Sequence, residues 1–332
     1  MKHADTEALL RREQKKREKA RRRRIRGWTA AGFLLVLIWG LVWAFGFGPL
    51  RDRSGGDPPP YLQEKLPGER ARIQMIDVGQ GLGILIRSEN EAMLVDGGGG
   101  KASSKTVAVL KAEGITRLKY LLVTHYDEDH TGGAIGAFAA LGAEAVLGPD
   151  YVKDGRNYRS LMRRVEEAGM EVIHPEPGQE FQLGRCRFTI LAPLKRYDSS
   201  NDNSLVLRLT DGRNSILISG DAEEAAEADL TARWGSRLKS DIYVVGHHGS
   251  YTSSSPQLLS LCSPSFLLLS CGKNNEYGHP HPSVMSTLLQ SGAALYRTDL
   301  QGDIRLVFTE KGISWELPPT QDWRAGSDPA AP

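Results

Sequence analysis

Cysteine is scarce in this 332-residue chain: Cys186, Cys262 and Cys271 are too few and too scattered for a disulfide framework or a zinc finger. Cys186 alternates with Phe188 and Ile190 in GRCRFTIL, the pattern of a small core residue on a strand. No internal repeat is present. A basic face of the kind that grips nucleic acid is also missing. The net charge of +2 conceals a division, because residues 1–26 hold twelve Lys and Arg against four Asp and Glu, which leaves the remainder near −6. A glycine-rich phosphate cradle is absent too, since IDVGQGLGILI runs from strand to strand and lacks the following helix.

One long stretch lacks charge altogether. Residues 27–48, GWTAAGFLLVLIWGLVWAFGFG, follow the basic run directly. About 20 apolar residues span a bilayer as a helix, and Trp28 and Trp43 stand near the two ends, where amphipathic rings favour the interface. These features predict a basic cytoplasmic segment (1–26) and an uncleaved transmembrane anchor (27–48), with the catalytic domain on the extracytoplasmic side of the cell membrane. Residues 49–70, rich in Pro, Gly and charge, read as a linker, and 318–332 as a disordered, solvated tail. A single α/β domain of ordinary size is expected over 71–317.

Within it, ARIQMIDV, GILIRS and EAMLVDG read as consecutive strands broken by glycine turns. SKTVAVLKAEG has helical spacing and ends on Gly114, and GGAIGAFAALG follows the strand LKYLLVTH as a second helix. CRFTILAP, SLVLRLTD, SILISGD, DIYVVGHHG and FLLLSCG are further strands, then a short helix TLLQSGA and the closing strands ALYRTD and GDIRLVF. Acidic and imidazole residues gather at strand ends, where open α/β sheets place their ligands.

The run LLVTHYDEDHTGG is the strongest chemical signal. A buried strand delivers His125, and Asp127, Asp129 and His130 follow within one turn, giving nitrogen and oxygen donors at metal-ligand spacing. Gly132 and Gly133 leave room for the next helix to pack against the site. Asp221 ends the strand SILISGD, where it serves equally as a ligand or as the N-cap of AEEAAEADL. Of the pair in VGHHGS, His247 follows its strand directly and is expected to point into the site, with His248 lining the pocket. His279 and His281 lie between prolines, which stiffen the backbone that aims them.

The pattern HxDxDHxGG resembles the metallo-β-lactamase superfamily signature HxHxDH, with Asp in place of the second His. Together with IDVGQG, NDNSLVL, ISGDAE, VGHHGS and YGHPHP, it resembles the extracytoplasmic domain of ComEC-type DNA-uptake proteins over most of 71–317. The resemblance implies a four-layer αβ/βα sandwich, here preceded by one transmembrane helix, with a dinuclear centre between two sheets. It assigns His125 and Asp127 to one ion, Asp129 and His130 to the other, Asp221 to a bridging role, and His247 as the last imidazole. Asn203 takes the place of a third-strand His, so the oxygen-rich site suits Zn2+ or Mn2+. Asp96 matches a structural Asp that braces the ligand loop. Leu82 departs from the family, which commonly has an acid there.

These features predict a metal-dependent hydrolase, with Asp129, His248 and His279 serving the reaction itself. The expected activity is phosphodiester cleavage by a metal-bridging hydroxide, with single-stranded DNA or a small phosphodiester or ester as substrate and the membrane as the one structural partner. The alternatives are hydrolysis of a small ester, lactone or phosphocholine-like molecule, and a non-catalytic metal-binding or sensory domain of the same fold. No protein partner is identifiable from the residues.

Overall fold

The computed structural model describes residues 66–326, all within one compact unit. Two β-sheets face each other, each covered by helices on its outer side. The chain first lays down β1 (Glu69–Met75), β2 (Gly83–Ser88), β3 (Glu91–Asp96), α1 (Ser103–Ala112), β4 (Leu118–Leu122), α2 (Glu128–Leu141), β5 (Ala143–Leu147), α3 (Arg156–Glu167) and β6 (Val172–Ile173). It then builds β7 (Glu180–Leu183), β8 (Cys186–Ala192), β9 (Val206–Thr210), β10 (Ser215–Ile218), α4 (Glu224–Trp234), β11 (Ile242–Val244), α5 (Pro256–Cys262), β12 (Phe266–Leu269), α6 (Pro282–Gln290), β13 (Ala294–Arg297) and α7 (Thr298–Gln301). Finally β14 (Ile304–Thr309) and β15 (Gly312–Trp315) return to the first sheet. The strand orders are β15-β14-β1-β2-β3-β4-β5-β6 and β13-β12-β11-β10-β9-β8-β7.

Side-chain alternation explains the layering. On β3, Met93 and Val95 enter the core between the sheets while Ala92 and Leu94 face the core under the helices. On β8, Cys186, Phe188 and Ile190 point to the inter-sheet core, as their spacing predicts. Where a strand is buried on both faces it must be apolar, and Leu121 and Leu122 at the end of β4, with Val123 just after it, meet that requirement. This is the αβ/βα sandwich of the metallo-β-lactamase fold. The three cysteines are buried and free.

The expectation of a transmembrane helix is corrected. Among the described residues no helix is long and apolar enough to cross a membrane. The longest of them, α2, has 14 residues, about 21 Å at 1.5 Å per residue against a hydrocarbon core of about 30 Å. The expected span 27–48 lies outside the described residues. The membrane-anchored phosphodiesterase or nuclease, the membrane as partner and the extracytoplasmic placement are set aside with it.

Two boundaries also move. Strand β1 begins at Glu69, inside the expected linker. The expected solvated tail is packed as far as 326: Thr320 bridges Leu295, Gly326 N–H donates to Pro280 O, and Ala325 is buried. The buried Arg297 guanidinium draws this segment in by donating to the carbonyls of Asp322 and Arg324.

Candidate metal centre

The ligand run sits where β4 meets α2. Helix α2 starts at Glu128, so Asp129 and His130 occupy its first turn. The helix reaches this position because Gly132 and Gly133 lie flat against the loop after β3. A Cβ on Gly132 would stand 2.2 Å from Gly100 N, and one on Gly133 would stand 1.8 Å from Gly97 O. From the second sheet, Asp221 follows β10 and the His247–His248 pair follows β11 in a tight turn.

Four side chains converge from these ends. Asp129, His130, Asp221 and His248 place one donor atom each within 4.8 Å of one another. His130 Nε2 lies 3.2 Å from His248 Nε2 and 3.2 Å from Asp221 Oδ2. His248 Nε2 lies 3.4 Å from Asp129 Oδ2 and 3.5 Å from Asp221 Oδ2, and His130 Nε2 is 3.8 Å from Asp129 Oδ2. Tetrahedral ligands at about 2.0–2.1 Å from an ion are separated by roughly 3.3–3.4 Å, so these spacings already fit a small divalent cation.

The rings are set to receive one. His130 Nδ1–H donates to Asp96 Oδ2 at 2.8 Å, and His248 Nδ1–H donates to Ser270 O at 3.0 Å, which leaves each Nε2 lone pair to face the cluster. Thr124 Oγ1 gives its hydrogen to Asp96 Oδ2 at 2.6 Å and lies 3.2 Å from His125 Nδ1, for which it is the acceptor. His125 Nε2 is consequently buried without a partner, as is Asp221 Oδ1. Unsatisfied polar atoms are costly in a protein interior, and an ion beside these two would satisfy both.

Electrostatics point the same way. Burial works against ionisation of Asp221, but the adjacent His130 and His248 rings outweigh it and hold the carboxyl well below its ordinary range. Burial likewise disfavours a charged His248, yet Asp221 and Asp129 push it up to about 9. His130 is raised by Asp221, Asp129 and Asp96 against the same burial.

The other expected residues fall differently. His125 Nε2 is 3.7 Å from Asp127 Oδ1 and 3.8 Å from Asp221 Oδ2, beside the cluster rather than in it. Asp127 pairs with the Lys153 ammonium and accepts from Ser200 Oγ at 3.0 Å. Of the histidine pair, His248 enters the four-residue cluster in the place expected for His247, whose Nε2 lies 3.7 Å from Asp221 Oδ2 and whose Nδ1 faces Glu223 at 3.3 Å and Thr252 at 3.2 Å. Both residues have left-handed φ values, 47° and 55°, so the turn reverses the direction that the strand end implies. Asn203 is engaged with its own loop, donating to Tyr197 O and Ser199 O and accepting from Tyr197 N–H. His279 stands at the edge, its ring 5.6 Å from that of His247 and 6.4 Å from that of His248. His281 Nδ1 accepts from Tyr251 N–H. Leu82 is buried in the core between the sheets, where an acid would be unpaired. Lys153, Thr124 and Ser270 carry no local sequence signal and come to the site only through the fold.

The Metallo-beta-lactamase superfamily model matches residues 76–272. The chain belongs to this superfamily. It is 33% identical over 255 residues to Competence protein ComA of Neisseria gonorrhoeae, a match covering 76% of this chain and 34% of that protein. With ComE operon protein 3 of Bacillus subtilis it shares 27% over 269 residues, 75% of this chain and 34% of the relative. The resemblance to ComEC-type competence proteins is therefore shown, and the chain spans about a third of the length of these relatives. Among solved structures, CmlA, a diiron beta-hydroxylase from Streptomyces venezuelae, superposes with a TM-score of 0.50 at 14% identity, covering 74% of this chain and 55% of that one. That likeness is one of fold alone. The superfamily fold and the four-residue ligand cluster make this domain a metal-dependent hydrolase.

Proposed function

We propose that this hydrolase cleaves a small ester, lactone or phosphocholine-like molecule, using two divalent ions, Zn2+ or Mn2+. Asp129, His130, Asp221 and His248 would hold the first ion, and His125, Asp127 and the second oxygen of Asp221 the other. The observation that carries the reading is the convergence of four donors beside two orphaned ones, His125 Nε2 and Asp221 Oδ1. A bound divalent ion supplies Lewis acidity, lowering the pKa of water to about 7 and stabilising a departing oxygen.

The residues supply the rest. Asp129, with its side chain 36% exposed, stands at the mouth, where it can accept a proton from attacking water. Asp221 and His130 are buried and keep the floor of the site rigid. The acidic rim of Asp127, Asp129 and Glu223, with the acid excess beyond residue 26, favours a small substrate over a polyanion.

The test is a parallel screen of the full chain on carboxylic esters, lactones, phosphocholine esters and single-stranded DNA, with and without chelator. Single-stranded DNA is included because the name of the Neisseria relative refers to competence. Chelator-sensitive turnover of small esters is the expected result. Cleavage of DNA with no ester turnover would overturn the small-substrate reading.

A further inference from the structure

Gln80 lies outside the ligand set, yet its amide is held at both ends. Its Oε1 accepts from Gly272 N–H at 3.0 Å, and its Nε2 lies 3.2 Å from His279 Nδ1. A backbone N–H can only donate, so the amide oxygen must face Gly272 and the amide NH2 must face His279. That NH2 can only donate, so His279 Nδ1 must accept. The ring is then neutral, with its proton on Nε2.

The surroundings enforce this arrangement. Loop 79–81 meets the strand end at Gly272 so closely that a Cβ there would stand 2.7 Å from Gln80 N. Ser270 Oγ–H donates to Gly81 O at 2.7 Å and ties the two loops together. Asn275 fixes the backbone of His279, accepting from its N–H at 3.0 Å and donating to its carbonyl at 2.6 Å. His279 thus carries its proton on Nε2, whereas the Nδ1–H groups of His130 and His248 are committed to Asp96 and to Ser270 O.

We infer that Gln80 is a positioning residue, which keeps His279 as a neutral Nε2–H donor to the substrate oxygen that gains charge as the ester bond breaks. The inference rests on the hydrolase reading above. Hydrolysis adds hydroxyl to the acyl or phosphoryl centre and a proton to the departing oxygen. His279 contributes a hydrogen bond to the charged oxygen and keeps its own proton. It is neither a base nor a metal ligand. Such preorganised donors act where charge develops.

The experiment is 15N NMR of the full chain labelled at histidine, with the His279 signals identified by their loss in His279→Gln. In the wild type, the expected spectrum has Nε2 protonated and Nδ1 bare. Gln80→Glu keeps the acceptor for Gly272 N–H but turns the group facing Nδ1 into an acceptor, so a proton moves onto Nδ1. In that variant kcat falls roughly 100- to 1,000-fold, with KM and metal content within a few-fold. A wild-type ring protonated on Nδ1 overturns the inference, as does a shifted proton with unchanged kcat. The wild-type tautomer is read without any turnover, so a protein that cleaves no ester would defeat the functional reading and leave this assignment separately decided.

Discussion

His130 Nε2 and His248 Nε2 lie 3.2 Å apart, while the far nitrogen of each ring is anchored, one to Asp96 and the other to Ser270 O. Two imidazole lone pairs at that distance repel unless a proton or cation lies between them. The fold therefore holds a ligand geometry before any ion arrives. His247, one residue away, is not among the four converging donors: its Nε2 lies 3.7 Å from Asp221 Oδ2 and its Nδ1 faces Glu223 and Thr252. His248→Ala is expected to weaken metal binding by more than the roughly 10–100-fold typical of losing an outer partner. His247→Ala should stay within about 10-fold of wild type on the same scale. Competition against a chromophoric chelator measures both, and equal losses in the two variants would refute the assignment.

Asp96 is the anchor on which three groups depend. Its Oδ1 accepts from Thr124 N–H at 2.8 Å, and its Oδ2 accepts from Thr124 Oγ1–H and His130 Nδ1–H. The residue is fully buried and adopts φ 53°. Asp96→Asn places an amide NH2 among donors, so at least one donor loses its acceptor. That costs about 1–3 kcal/mol of stability and about 10–100-fold in metal affinity. Thermal unfolding with and without metal reads both effects. An Asn variant with wild-type affinity would show that His130 needs no anchor.

Much of this arrangement is legible in the residue order, and what is not has identifiable causes. The apolar run before His125 and the Gly132–Gly133 pair report local requirements, a buried strand and a close helix approach, and local requirements leave local patterns. The order of His247 and His248 does not, because a left-handed turn reverses where the strand end points. Asn203 stands where the family resemblance implies a third-strand His, yet its amide is consumed by the 197–199 backbone. Lys153 reaches Asp127 from the segment between β5 and α3, a meeting that only the three-dimensional fold creates. The packed 318–326 segment depends in the same way on the distant Arg297.

Proton release should accompany metal uptake. His248 is held up to about 9 by Asp221 and Asp129, against the opposing effect of burial. At neutral pH it carries a proton that an incoming ion must displace. Calorimetry in buffers of different ionisation enthalpy should count at least one proton released near neutrality, and fewer as pH rises through about 9. The same group links pH to the stability of the metal-free protein. Its folded value is raised, so its contribution is full below the ordinary histidine range and is lost as pH rises through about 9. Asp221 has the opposite sign: its value is lowered, so its contribution is present above the ordinary carboxylate range and is lost on acidification. Metal binding without proton release at neutrality would contradict this scheme.

Lys153 is expected to set how readily the proposed second ion enters. Its ammonium pairs with Asp127 and lies 3.3 Å from Ser200 Oγ, which itself donates to Asp127 Oδ1. Asp127, His125 and Asp221 are the donors proposed for that ion, so the ammonium competes for one of them. Two unit charges about 4 Å apart interact by about 4 kcal/mol at an effective dielectric of 20. The pair is 27% and 31% exposed, and solvent screening reduces the effect to roughly 1–2 kcal/mol. Lys153→Met should therefore tighten the second ion by about 10-fold and leave the first, held by Asp129, His130, Asp221 and His248, nearly unchanged. Lys153→Arg keeps the charge and should keep the weaker second site. Titration with Zn2+ or Mn2+, followed by metal analysis of the dialysed full chain, separates the two events. Identical second-ion affinity in the wild type and the Met variant would mean that Lys153 does not guard this position.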